Sequence, residues 1–213
     1  MKKLLSFILI FLLFISFTFI KAYSYSETIS SSLEDKILRL HIIANSNNSK
    51  DQLFKLKCRD NIISYLNSNI DYTSSSKEDI SNFISNHIND LYQICYSLAE
   101  TENYNTDFKI ELSNSFFPTK QYGNILMPSG YYDCLKINIG SASGNNWWCS
   151  LFPPLCFSNQ TTSLILNYEE SHTIPLISST LSSEEVSLLT NSQNQKDIKL
   201  KFKIIEAFST IIK

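Results

Sequence analysis

The period of apolar and polar positions changes several times along the chain, and each change marks an element. Residues 4–20 are a near-continuous apolar run, broken only by Ser6, Ser16 and Thr18. Residues 25–36 are Ser-rich and polar with no period, and read as a tether. Residues 37–46 then alternate as a strand. Leu38, Leu40, Ile42 and Ala44 share one face; Arg39, His41, Ile43 and Asn45 share the other. Asn45 to Ser49 is turn chemistry, with Ser49 as the expected N-cap and Gln52 three residues on. A helix is predicted over 50–66, buried along Leu53, Phe54, Leu56, Cys58, Ile62 and Ile63, with Lys55, Lys57, Arg59 and Asp60 crowding its middle. A second helix is predicted from Ser76 to about Glu102, carried by Ile80, Phe83, Ile84, Ile88, Leu91, Cys95 and Leu98.

Alternation returns over 106–112, through Phe108, Ile110 and Leu112, and more weakly over 124–127. Over 131–139 it places Tyr131, Asp133, Leu135, Ile137 and Ile139 on one side. Tyr132, Cys134, Lys136 and Asn138 take the other. Residues 158–195 are Ser/Thr/Asn-rich, with one short apolar run (164–166) and a weak helical patch (184–189). They read as a partly ordered low-complexity linker. Residues 196–213 space Ile198, Phe202, Ile205, Phe208 and Ile212 as a helix. Lys199, Lys201 and Lys203 alternate with apolar neighbours, so a strand competes for the first half. The whole order predicts an α+β fold: a small, mostly antiparallel sheet with a helical hairpin packed on one face, plus a C-terminal helix.

Composition singles out one stretch, 118–157. It holds all four Gly, both Trp, four of the five Pro and three of the five Cys, in a chain otherwise dominated by Ser, Asn, Lys, Ile and Leu. Gly permits unusual backbone angles, Pro fixes φ, and Trp contributes large apolar area. The centre of the cluster, 144–157, therefore reads as a shaped loop with aromatic anchors.

The N-terminus bears on compartment. Met1-Lys2-Lys3 precedes the apolar run, and Ala22-Tyr23-Ser24 follows it with small residues where a signal peptidase reads. Residues 1–24 are thus a signal peptide cut after Ser24, or a retained membrane anchor; both expectations export the rest. Losing Lys2, Lys3 and Lys21 removes three positive charges from a formal −2, leaving −5. A mildly acidic product is not a nucleic-acid binder by composition. Cys149 and Cys156 are the natural disulfide pair if the compartment oxidises thiols, with buried small hydrophobes as the alternative. Cys58 and Cys95 sit in helical patterns and are expected in the core.

Catalytic signals are sparse. The chain has no Gly-x-Ser-x-Gly elbow, P-loop or dinucleotide fingerprint. A zinc set of Cys134, Cys149, Cys156 and His41 lacks a zinc-knuckle spacing, so no metal or cofactor is expected. A Cys149–His41 nucleophile pair would need proximity and a depressed thiol pKa. Arg39 and Arg59 are the only Arg beside sixteen Lys. A planar fork that binds a carboxylate or backbone carbonyls is where Lys cannot substitute. Asp60 and Asp51 are the nearest candidate partners.

Three blocks resemble the stage II sporulation protein R family. The first is Leu38-Arg39-Leu40-His41-Ile42-Ile43-Ala44-Asn45-Ser46 with Asp51-Gln52-Leu53 and Lys55-Leu56-Lys57-Cys58-Arg59-Asp60. The second is 131–140 with Asn146-Trp147-Trp148-Cys149 and Leu151-Phe152-Pro153-Pro154-Leu155-Cys156. The third is Phe202-Lys203-Ile204-Ile205-Glu206. Asn145 stands where the family often has a His, and residues 158–195 match poorly.

The resemblance implies a signalling protein and not an enzyme. Such a protein is made in the forespore and exported to the space between the septal membranes. There it switches on a membrane-bound aspartic protease of the mother cell, which removes the pro-sequence of sigma E. On this reading 37–157 is the family domain. Asn146, Trp147, Trp148, Phe152, Pro153 and Pro154 are the expected receptor contacts, because aromatic anchors on a stiff loop dominate interface energy. Arg39, His41, Asn45, Arg59 and Asp60 are expected to be structural. Two other classes compete: an exported Cys-dependent or cell-wall hydrolase using Cys149 and His41, and a membrane-anchored structural protein of the septum.

Overall fold

The computed structural model describes residues 2–122, 125–156 and 179–190. The predicted 196–213 element and the 164–166 run lie outside the described residues. Elements follow in the order α1 (Lys2–Glu34), β1 (Leu38–Ile43), α2 (Ser49–Asn69), α3 (Lys77–Asn86), α4 (Ile88–Thr101), β2 (Phe108–Phe117), β3 (Lys120–Tyr122), β4 (Ile125–Met127), β5 (Gly130–Ile139), β6 (Asn146–Phe152) and α5 (Ser183–Thr190). The chain divides into two compact units.

The first unit contains α1 to Leu33, the β3–β4 hairpin and α5. In α1 the apolar side chains from Leu4 to Ile20 are more than two-fifths exposed where described. The helix continues through the Ser-rich segment to Glu34, where a tether was expected. Straight-chain and Ser side chains do not prevent helix propagation once a turn exists. Ser32 donates to a Glu185 carboxylate oxygen at 2.9 Å. β3 and β4 pair antiparallel, with Lys120 opposite Met127.

The second unit is α+β, with a four-stranded sheet ordered β2-β5-β1-β6. The sheet is mostly antiparallel. β6 runs antiparallel to β1, with His41 opposite Trp148 and Ile42 opposite Trp147. β2 runs against β5, as the Asn114–Asp133 hydrogen bond and the Phe116–Tyr131 ring contact require. Only β1 and β5 are parallel, Leu40 opposite Leu135, because α2, α3, α4 and β2 lie between them in the chain. The faces predicted for β1 and β5 hold in the register: Leu38, Leu40, Leu135 and Ile137 lie on the face that α2 covers, Arg39, His41, Tyr132 and Cys134 on the other, and both faces are buried.

Three local expectations change. Asn48, not Ser49, caps α2, accepting from the Asp51 amide at 2.8 Å. The single second helix is two. His87 leaves helical geometry (φ −112°, ψ 22°), and its Nδ1–H donates to the Phe83 carbonyl while the ring stacks on Phe83. A side chain that bonds the preceding turn competes with the backbone ladder. α3 starts as expected, with a reciprocal Ser76–Asp79 capping box.

The third change concerns the face of α2. Leu53 is 55% exposed, whereas Asp51, Lys55 and Arg59 are buried with Phe54, Cys58, Ile62, Ile63 and Leu66. The buried stripe still has helical period, but three of its eight side chains are polar. Those three polar side chains face the turn that delivers β6.

Candidate functional site

The stretch expected to be a loop is largely the edge strand β6, ended by a closed turn. It is held from three directions. At its entry Asn45 takes most of the bonds. Its side-chain oxygen accepts from the Ser141 amide at 2.9 Å, and its carbonyl accepts from the Ser143 hydroxyl at 2.7 Å. Its amide nitrogen donates to Asp51 at 2.9 Å, and Asp51 also accepts from the Tyr104 hydroxyl at 2.6 Å. The Tyr104 hydrogen bond is the main cause of an Asp51 carboxyl held below its ordinary value. Gly140 completes this join: its φ is +55°, and a Cβ there would meet the Asn45 side chain.

From the helical side, Lys55 and Arg59 reach over β6. Lys55 Nζ donates to the Asn145 carbonyl at 3.0 Å and to Gln52 Oε1 at 2.8 Å. Burial, then the Arg59 charge, lowers its pKa. The Arg59 guanidinium lies 4.3 Å above the Trp147 ring centroid. Asp60 Oδ1 fixes that guanidinium, accepting from Nε at 2.8 Å and Nη2 at 2.6 Å. A cation over an indole face is attracted by the ring quadrupole.

Arg39 works from the opposite face of the sheet. It is fully buried, donates through Nε to the Cys149 carbonyl at 3.0 Å, and lies 4.4 Å over Phe117 and 5.2 Å over Tyr132. Neither Asp51 nor Asp60 is the partner of this Arg; the planar head serves a backbone carbonyl and two rings. On the same face His41 donates through Nε2 to Asn146 Oδ1 at 2.8 Å and stacks on Trp148, centroids 5.8 Å apart.

His41 is held below its ordinary 6.5 mainly by burial; the Asn146 bond opposes this, and the Lys136 and Arg39 charges add to it. The unfolded chain therefore binds the proton more readily than the folded one near pH 6. The stability that neutral His41 contributes is complete above 6.5 and falls as pH drops through the lower folded value. A proton-NMR titration of folded protein is expected to give His41 a midpoint under 6.5, and a His41→Gln variant is expected to lose less stability between pH 7 and pH 5.

The exit of β6 is a closed turn. Phe152–Pro153 is a cis peptide, the Leu155 amide donates to the Ser150 carbonyl at 2.8 Å, and Cys149 and Cys156 are joined by a disulfide with Cα atoms 5.2 Å apart. Cys149 thus has no free thiol. It also faces the helical side, opposite Leu40, while His41 faces the other side. The nucleophile pair and the zinc set both lose their chemistry to this bridge.

What β6 leaves accessible is specific. Trp147, Trp148, Asn146 and Pro154 are half-buried, whereas Phe152 and Pro153 are buried. Successive strand residues point to opposite faces, so the two indoles flank the sheet edge, one under Arg59 and one beside His41. Lys55 and Tyr104 were not singled out from sequence, and Asp51, expected as an Arg partner, instead accepts from Asn45 and Tyr104. The four-residue spacing of Asp51, Lys55 and Arg59, in phase with Cys58 and Ile62, was the available signal.

A sequence model of stage II sporulation protein R matches residues 34–162, which span β1 to β6. The protein named stage II sporulation protein R from Bacillus subtilis (strain 168) is 29% identical over 194 residues, covering 87% of this chain and 86% of that one. No solved structure matches. With the family match covering well over half the chain and centred on the sheet just described, this chain belongs to the stage II sporulation protein R family and is a sporulation protein.

Proposed function

We propose that this protein is an exported messenger, not an enzyme, which switches on a membrane-embedded aspartic protease of the mother cell and thereby the removal of the sigma E pro-sequence. The observation that carries the reading is the edge strand β6. It combines the Trp-Trp-Cys block of the family match with two half-buried indoles fixed from opposite faces by Arg59 and His41. Rigid aromatic anchors lose little entropy on binding, and the Cys149–Cys156 turn lowers that cost further. Asn146, Trp147, Trp148 and Pro154 form the receptor contact; Phe152 and Pro153 are buried and take no part in it.

Export is supported by α1, in which the described apolar side chains between Leu4 and Ile20 are on the outside. Seventeen helical residues span about 26 Å, short of a hydrocarbon core of about 30 Å, and among the described residues no helix is long and apolar enough to cross a membrane. The segment acts as the export signal, and the domain is delivered across the forespore membrane either released or on an anchor.

The test is co-expression with the protease and pro-sigma E in a non-sporulating host. Cleavage is expected with the full chain and lost when residues 1–24 are deleted so that the protein stays inside. Equal cleavage from the unexported form would overturn the reading, as would turnover of peptidoglycan by purified protein.

A further inference from the structure

Three cysteines lie outside the Cys149–Cys156 bridge, and all are buried. Two of them meet. Cys58 on α2 and Cys95 on α4 are fully buried, and their sulfurs are 3.3 Å apart between two helices that pack on each other. We propose that Cys58 and Cys95 are the site of a second disulfide, which staples α2 to α4 beneath the residues that grip β6. A disulfide holds its sulfurs about 2.05 Å apart, so the pair must close by only about 1.3 Å. The bridge at Cys149–Cys156 is itself a sign that the folding chain meets an oxidant.

The oxidant required is another disulfide, such as oxidised glutathione or the active-site disulfide of a thiol oxidoreductase. One thiolate of the pair attacks it, giving a mixed disulfide and one released thiol. The second thiolate then attacks the protein sulfur of the mixed disulfide and releases the other thiol. Two electrons pass to the oxidant, and the two cysteine protons end on the released thiols.

Burial decides when this happens. The hydrogen bond to Cys95, and burial after it, hold the Cys58 thiol well above its ordinary value. The packed protein therefore offers little thiolate for attack. The bond forms while α2 and α4 are still coming together, and afterwards the same packing shields it from reductants. Closing the chain across 37 positions restricts the unfolded state more than the seven-position Cys149–Cys156 bridge does. Cys134 takes no part. It lies on the other side of the sheet, beside Ser113, and stays a thiol.

The experiment is refolding of the full chain from denaturant in a mixture of oxidised and reduced glutathione. Remaining thiols are then alkylated with iodoacetamide in denaturant and the mass is read. One alkylated cysteine, Cys134, is expected, together with a cross-linked Cys58–Cys95 peptide in an unreduced digest. Three alkylated cysteines, or a digest that pairs Cys58 or Cys95 with any other residue, would overturn the proposal. A Cys134→Ser variant repeats the test without intermolecular pairing through Cys134: no alkylation is expected, against two if the pair stays reduced.

Discussion

Replacing Arg39 with Ala is expected to lower the unfolding free energy by about 3–5 kcal/mol, on the scale of large buried side chains truncated in a core. A domain of this size has about 5–15 kcal/mol in total, so the variant sits close to unfolding. Two effects act in opposite directions. Truncation empties the space between Phe117 and Tyr132 and strips the Cys149 carbonyl of its donor. Removing a buried charge, however, relieves desolvation.

Volume wins if the site is filled. Arg39→Met, which keeps the stem and much of the bulk, is therefore expected to cost only about 1–2 kcal/mol, the share of the orphaned carbonyl. Urea midpoints for the two variants, followed by far-UV circular dichroism, make the comparison. Equal losses for Ala and Met would mean that the donor, and not the packing, is what β6 depends on.

Trp148→Ala is expected to weaken protease activation about 30-fold, the equivalent of a 2 kcal/mol interface anchor. Trp148 lies on the face of the sheet that α2 does not cover, half-buried and stacked on His41. The His41–Asn146 hydrogen bond does not involve the indole, so truncation leaves that join in place. Trp148→Phe retains a ring over His41 and should recover part of the signal. The readout is the amount of exported variant that gives half-maximal pro-sigma E cleavage, with thermal melting as the folding control. Wild-type potency from a well-folded Trp148→Ala protein would remove this indole from the contact surface.

The rarity of Arg was informative. In a chain that uses Lys for sixteen of its eighteen basic residues, the two retained Arg are both buried, and each applies a planar guanidinium to rings: Arg39 to Phe117 and Tyr132, Arg59 to Trp147. The partner was only half legible. Arg59 does take Asp60, its sequence neighbour. Arg39 takes a carbonyl 110 positions away, and no local pattern could indicate that.

The rare-residue cluster was read as a loop, but its centre, Asn146–Phe152, is a strand. Pro-Pro, Gly and paired Trp are turn and interface chemistry, and β6 shows no clean alternation because both of its faces are partly covered. An edge strand of that kind looks like a loop until its neighbour is known. His87 presents the same difficulty in a helix: it carries no Gly or Pro signal, and the break comes from its own ring folding back on Phe83.

Read alone, the chain was enough to set the α+β class, the two faces of β1 and β5, the start of α3 at Ser76 and the family, because these rest on period and on contiguous motifs. Tertiary structure decided that Leu53 points outward while Asp51, Lys55 and Arg59 turn inward, that Trp147 and Trp148 part to opposite faces, and that Cys58 meets Cys95. Each of those outcomes depends on which segment arrives as the neighbour. A polar stripe on a helix is buried only when a turn distant in the chain brings the carbonyls and rings that satisfy it.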